Sequence, residues 1–355
     1  MQSIMGLRLK SLNLIATLGY FMFVAVGLLL PVQSVAATEL TGAGATFPYP
    51  FYSKAFYSYS QSHPDVTVNY QSIGSGGGIQ QFIAKTVDFG ASDVPMNAGE
   101  LQRASDPVVQ IPVTLGGEAI CYNLPGINSG LKFTRELVAD IYLGKVTKWN
   151  DPAIQKLNPE VKLPDMPIMV VHRSDGSGTT YIFTDFLSNI SSEWKQRVGA
   201  GKSVSWPAPN SVGGKGNEGV AGQVRQSAGA IGYVELAYVV QNNMTYGRLQ
   251  NKSGSWVYPS IATVAAAGAS KPNVSATDFS IVNADGADSY PISGYSWVMV
   301  YQKPADATRG GLVKKVMSWL VTDGQDVAKS VNYVPLPKNV QDVAFKAISQ
   351  MQAGD

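Results

Sequence analysis

The chain has 355 residues, 45% of them hydrophobic and only 15% charged, with 36 glycines and 17 tyrosines. That length supports two globular units with real cores, and the composition excludes a disordered, collagenous or coiled-coil chain. The formal charge of +2 includes Arg8 and Lys10; without residues 1–37 the balance is 27 − 2 = 25 basic against 25 acidic residues, so the basic excess of a nucleic-acid binder is missing.

Residues 1–37 read as a secretory signal peptide. Arg8 and Lys10 precede an apolar run from Leu12 to Leu30, and Val35-Ala36-Ala37 supplies small residues before polar Thr38-Glu39. The run approaches the length of a membrane span, so an uncleaved anchor is the competing reading. No cysteine at the junction offers a lipid attachment point. The single cysteine, Cys121, cannot form an internal disulfide and reads as a small buried apolar residue. One Cys and two His, His63 and His172, are too few for a structural zinc site.

The next segment, Leu40 to Pro50, reads as a short strand, a glycine turn and a helix start. Pro48 and Pro50 suit a first helical turn. Phe51, Tyr52, Ala55, Phe56 and Tyr59 then form an apolar stripe at helical spacing, expected in the core. A second unit follows: strand Val66–Tyr70, the loop Ile73-Gly74-Ser75-Gly76-Gly77-Gly78, and a helix through Ile79 to Ala84. Val87 to Ser92 is a short strand ending at Asp93. Alone, Asp93 reads as a turn or capping residue. Ile111 to Asn123 is a long strand, and Leu137 to Leu143 is helical.

The third unit is the most informative. Ile168 to Val171 is β-branched and strand-like, Arg173 to Thr179 is a Gly/Ser/Thr loop, and Tyr181 to Leu187 is an apolar-periodic helix. A strand feeding such a loop at a helix start leaves backbone N–H groups unpaired and pointing one way. With the positive end of the helix dipole they favour an anion. Arg173 offers a fork of donors for a tetrahedral oxyanion. The competing reading is an ordinary capped helix N-terminus. Three units of one kind favour a shared ligand site beyond the carboxyl ends of the strands of an α/β fold.

Further on, a helix is expected from Val220 to Gln226, before the strand-like Gly229 to Glu235. Residues 250–285 carry no clear period. Pro291 to Tyr301 contains a strand. Amphipathic helices are expected over Gly311 to Thr322, Gly324 to Val331 and Val340 to Met351.

Six segments appear in order: Thr41 to Pro48, Ile73-Gly74-Ser75, Asp88 to Asp93, Asp140 to Lys145, Arg173 to Thr179, and Gly229 to Glu235. Together they resemble the periplasmic phosphate-binding proteins of phosphate-specific ABC transporters. The resemblance implies a two-lobed α/β fold of the type II periplasmic-binding-protein kind, its ligand cleft lying between lobes joined by crossover strands. It implies capture of inorganic phosphate and delivery to an inner-membrane permease driven by an ATPase, with no cofactor and no metal. A periplasmic monomer that binds no nucleic acid is the expected form.

The resemblance also implies roles. Thr46 and Phe47 supply backbone donors and the Thr46 hydroxyl. Ser75 supplies a hydroxyl and an N–H. Arg173 supplies charged donors, with Asp175 holding its guanidinium. Ser177, Gly178 and Thr179 supply helix-start donors, and Asp93 accepts a phosphate proton. Gly76 stands where the family often has a second Ser. Phosphate keeps a proton at neutral pH and sulfate none, so a buried Asp93 would penalise sulfate by roughly 2–5 kcal/mol. The chain crossings imply lobe one over 38–115 and 290–355, and lobe two, with the hinge strands, over 116–289.

Two rival functions remain. A serine hydrolase or phosphoryl-transfer enzyme needs a base, and strand alternation turns His172 away if Arg173 faces the ligand. Gly201-Lys202-Ser203 matches only part of a Walker A loop, since Gln196 stands where its first Gly should be. The other rival is a binder of a different oxyanion, such as sulfate or molybdate.

Overall fold

Each of the three units forms a strand followed by a helix in the computed structural model of the protein, which describes residues 37–353. Two of the expected glycine loops are shorter than predicted: Gly42 and Gly44 belong to the first strand, and Gly76 to Gly78 belong to the second helix. The segment behind the signal-peptide reading lies, apart from Ala37, outside those residues. Strand β1 (Thr38–Gly44) leads to helix α1 (Tyr49–Ser62), and β2 (Val66–Ser72) leads to α2 (Ser75–Ile83). β3 (Phe89–Ser92) is followed by α3 (Ala98–Arg103), opened by a capping box between Asn97 and Glu100. The stripe on α1 is core as expected: Phe51, Tyr52, Ala55, Phe56 and Tyr59 are all buried. Each of its large side chains contributes about 1.5–3 kcal/mol by burial.

The fifteen-residue strand β4 (Val108–Tyr122) starts three residues earlier than the sequence pattern predicts. After it come β5 (Lys132–Phe133), α4 (Arg135–Tyr142) and α5 (Pro152–Gln155). The third unit is β6 (Met169–Arg173) and α6 (Gly178–Ile190), followed by α7 (Ser192–Arg197). β7 (Ser211–Gly214), α8 (Gly216–Gln226), β8 (Ala230–Glu235) and α9 (Leu236–Gln241) complete that region.

Strands β9 (Thr245–Tyr246) and β10 (Arg248–Gln250) lead into the stretch without a clear period, which holds β11 (Trp256–Val257) and α10 (Ile261–Ala269). Helix α10 is alanine-rich and carries no strong apolar face; a Ser260–Thr263 capping box starts it. β12 (Ser293–Tyr301), α11 (Ala307–Leu320) and α12 (Lys338–Ile348) close the chain.

Several other segments differ from expectation; α2, for one, begins at Ser75, four residues before Ile79. Helix α8 begins at Gly216, four residues before Val220. Helix α11 begins at Ala307, not Gly311, because the Asp306 carboxylate accepts from the Arg309 amide. The segment Asp323–Val331 is a 3₁₀-helix and not an amphipathic α-helix. The Gln325 side chain explains this. It is buried, donates to the carbonyls of Val113 and Leu320, and accepts from the Leu336 amide, so it ties the turn to β4.

The main sheet has the order β2-β1-β3-β12-β4-β8-β6-β7, with β9 also paired to β4. Two parallel blocks, β2-β1-β3 and β8-β6-β7, flank an antiparallel centre. Strand β4 serves both sides. Its residues 108–117 pair with β12, and Glu118–Tyr122 pair with β8. The ladder therefore passes from one half-sheet to the other between Gly117 and Glu118. The return crossing runs alongside, where the Glu118 amide donates to the Ile292 carbonyl at 2.8 Å. Both parallel blocks aim the carboxyl ends of β1, β3 and β6 at this junction. Among the described residues, no helix is long and apolar enough to cross a membrane.

Candidate functional site

The residues singled out by sequence meet at that junction. Thr46 and Phe47 follow β1, Ser75 is the first residue of α2, and Asp93 follows β3. Arg173 ends β6, Ser177 caps α6, and Gly178 and Thr179 open it. Thr46, Phe47, Ser75, Asp93, Arg173, Ser177 and Thr179 are all buried. The first four stand on one half-sheet and the rest on the other, yet they touch. The Gly178 amide donates to Ser75 Oγ at 3.0 Å, and the Gly76 amide donates to the Gly176 carbonyl at 2.7 Å. Among the described residues, the amides of Thr46 and Phe47 donate to no protein acceptor.

Arg173 is held as a fork. Its Nε donates to Asp175 Oδ1 at 2.8 Å, its Nη2 to Asp175 Oδ2 at 2.5 Å, and its Nη1 to Thr179 Oγ1 at 3.1 Å. Burial disfavours the charge on Asp175, but the Arg173 guanidinium outweighs it and holds the carboxyl below its ordinary range. His172, the preceding residue, takes the opposite face of the strand. It stacks on Trp206, with ring centroids 4.9 Å apart, and is half-buried.

Asp93 has the opposite environment. Its Oδ1 accepts from Ser296 Oγ at 2.8 Å, while its buried Oδ2 has no partner among the described residues. Burial pushes this carboxyl up to about 7, against the pull of the Ser296 hydroxyl, the Arg173 charge and, more weakly, the nearby Ser75 hydroxyl and Thr179 amide. Two further buried carboxyls lie behind it. Glu118 and Glu235 are cross-strand partners in the β4–β8 ladder, and burial raises both well above the ordinary range. Both oxygens of Glu118 lack a partner among the described residues; Glu235 Oε2 accepts from the Ala237 amide and lies 2.9 Å from the Tyr333 hydroxyl oxygen.

Several residues at the site were not legible in the sequence. Asn217, fully buried in the first turn of α8, contacts Thr46 and Thr179 at once. Gly216 makes that placement possible: its φ of +71° is a left-handed turn that other residues rarely adopt, and its amide donates to Asp175. The hydroxyls of Tyr238 and Tyr333 donate to the carbonyls of Thr46 and Phe47, each at 2.5 Å. Lys202 forms an ion pair with Glu100 on the other half-sheet, and its carbonyl accepts from the Ser177 amide. That pairing occupies the lysine of the Walker-like fragment. The Gly-rich run Gly213 to Gly219 was the one available signal for Asn217.

The arrangement gathers N–H and O–H donors around one guanidinium, with one lone acceptor, Asp93 Oδ2, among them. It suits a tetrahedral oxyanion that carries at least one proton.

Residues 31–324 match the PBP superfamily domain. The chain is 46% identical to the phosphate-binding protein PstS of Xylella fastidiosa over 311 residues, 87% of this chain and 84% of that one. It is 48% identical to the phosphate-binding protein PstS of Haemophilus influenzae, over 86% of this chain and 90% of that one. Among solved structures it superposes on a high-affinity periplasmic phosphate-binding protein, PfluDING, bound with phosphate. The TM-score is 0.72 at 21% identity, over 87% of this chain and 93% of that one, which speaks for a shared two-lobed fold. With these identities over nearly nine-tenths of its length, the chain belongs to the PstS family of phosphate-binding proteins within the PBP superfamily.

Proposed function

We propose that this protein is an extracytoplasmic solute-binding protein that captures inorganic phosphate and delivers it to an ABC-type importer. One observation carries the reading: the buried, unpartnered Asp93 Oδ2 set among donors. A donor-lined site binds any small oxyanion, whereas a lone acceptor inside it favours one that brings a proton. Thr46, Phe47, Ser75, Arg173, Ser177 and Thr179 supply the donors, the Gly178 amide joins them where the anion takes the place of its Ser75 Oγ acceptor, and Asp175 orients the guanidinium. The family relationship supports the ligand, the permease and ATPase partners, and a periplasmic location reached through a cleaved segment at residues 1–37.

The two half-sheets are read as lobes. The pairing switch at Gly117–Glu118 and the return at Ile292–Ser293 support lobe one over 38–115 and 290–355, and lobe two over 116–289. Phosphate contacts both lobes and thereby favours their closure. The catalytic alternative has little support. The Ser177 hydroxyl accepts from the Thr180 amide as a helix cap, and His172 faces Trp206.

Calorimetric titration of the exported protein tests the reading. Phosphate binds with micromolar or tighter affinity, and sulfate in excess leaves that affinity unchanged at pH 8. Equal competition by the two anions would overturn it. Cells lacking the gene take up less phosphate from dilute medium, and unchanged uptake would remove the transport role.

A further inference from the structure

Three hydroxyls at the site share a pattern of hydrogen bonds that fixes what each can offer. Thr46 Oγ1 accepts from the Asn217 amide at 3.0 Å and from Asn217 Nδ2 at 2.8 Å. Thr179 Oγ1 accepts from Asn217 Nδ2 at 3.0 Å and from Arg173 Nη1 at 3.1 Å. Ser75 Oγ accepts from the Gly178 amide at 3.0 Å and from the Asp93 amide at 3.3 Å. Every one of these donors is an N–H group, so the direction of each bond is not a choice. A hydroxyl has two lone pairs and one proton. With both lone pairs taken, each hydroxyl has only its O–H left to give.

Asn217 supplies three of those N–H contacts, and its own orientation is fixed. Its Oδ1 accepts from the Glu235 backbone amide at 2.9 Å, and an amide N–H can only donate. The side chain therefore cannot flip, and both protons of its Nδ2 group are aimed at the two threonine hydroxyls. Neither hydrogen is left for an anion. Thr46 and Thr179 belong to opposite half-sheets, so Asn217 sets the polarity of donors contributed from both sides of the cleft.

We infer that Asn217 is a positioning residue for oxyanion capture, one that saturates the lone pairs of Thr46 and Thr179 and obliges both hydroxyls to donate to the ligand. The inference rests on the anion-binding reading above. It predicts that the sign of the side chain's hydrogen bonding matters more than its volume. Asparagine and aspartate are nearly the same shape, but a carboxylate accepts where the amide donates. In Asn217→Asp both threonine hydroxyls turn their protons onto the new carboxylate and are lost to the anion. In Asn217→Ala they are merely free to rotate.

Calorimetric titration of the exported protein with phosphate at pH 8 tests this. Asn217→Ala weakens binding about tenfold and Asn217→Asp on the order of a thousandfold, the loss of two charge-assisted hydrogen bonds. A role in packing alone predicts the reverse order, with the isosteric variant the milder. A second measurement does not depend on how well either variant folds. In a Thr46→Val, Thr179→Val background that still binds phosphate through Arg173 and the backbone amides, Asn217→Ala causes no further loss of affinity. Asn217 variants within twofold of the unaltered protein, or losses that simply add in the triple variant, overturn the inference and leave the phosphate reading standing. An unaltered protein that binds no phosphate overturns both.

Discussion

Gly178, at the start of α6, lies directly against Asp93 from the other half-sheet. A Cβ at position 178 would stand 2.5 Å from Asp93 Cβ and 2.6 Å from Asp93 Oδ2. No side chain fits between the helix start and the carboxyl, so this glycine is required by close approach across the cleft.

Gly178→Ala therefore holds the two sides apart. The substitution lies in a helix, where alanine is favourable, so the folded state keeps its melting temperature within a few degrees. Phosphate affinity falls by on the order of a hundredfold or more, because ligand groups on opposite sides no longer reach the anion together. Unchanged affinity in calorimetry would show that the contact is not part of the liganded form.

The Asp93 carboxyl, raised to about 7 by burial, makes selectivity depend on pH. Above that value it is an acceptor only and repels a fully deprotonated oxyanion. Below it the neutral acid gains a proton to donate. Sulfate competition is thus expected to be weak at pH 8 and to grow as pH falls through about 7. Asp93→Asn, with an amide that can donate, brings sulfate competition at pH 8 and flattens this dependence. A competition profile independent of pH in the unaltered protein would remove Asp93 as the selecting group.

Lys202 and Glu100 form an ion pair between the half-sheets, with side chains 18% and 11% exposed. Pairs this far from solvent are weakly screened, and the contact exists only while the two sides are together. Lys202→Met is expected to speed phosphate release about tenfold, with little change in the association rate. Stopped-flow measurement of both rates checks the split; an effect confined to association would contradict it.

Glu118 stands behind the site with neither oxygen paired among the described residues, and burial raises its pKa well above the ordinary range. Asp93 and Glu235 add to the rise, and Arg173 opposes it. A carboxyl raised on folding binds more protons in the native state, so its contribution is fully present at low pH and is lost as pH rises. Glu118→Leu is expected to stabilise the protein at pH 8 by about 1–3 kcal/mol and to lessen the fall of melting temperature with pH. A lower melting temperature at pH 8 would mean that the carboxyl has partners of its own.

How much could be read beforehand follows the range of the interactions. The strand–glycine–helix units were legible because turn chemistry is local: Arg173, Ser177 and Thr179 lie within seven residues of one another. Asp93 gained meaning only from the family resemblance, since a carboxylate at a strand end reads as a cap. Asn217 was not legible because its partner Thr46 is 171 residues away, and the Gly-rich run around it marks a turn without saying what the turn meets. Helix α10 was missed for another reason: its sequence, Ile261 to Ala269, is apolar nearly all round and shows no preferred face. The 3₁₀ segment after Thr322 was misread because its period is helical, and only the buried Gln325 contacts tighten it.

The unbroken strand β4 constrains how the cleft can move. One ladder ends at Gly117 and the next begins at Glu118, so the half-sheets can turn relative to one another without tearing either. In the proposed opening and closing the junction serves as a torsion rod, twisting backbone dihedrals and leaving the paired strands intact. A gate of this kind breaks and remakes only the contacts that span the gap, the Lys202–Glu100 pair and the Gly76–Gly176 backbone bond among them, while the rod itself stays whole.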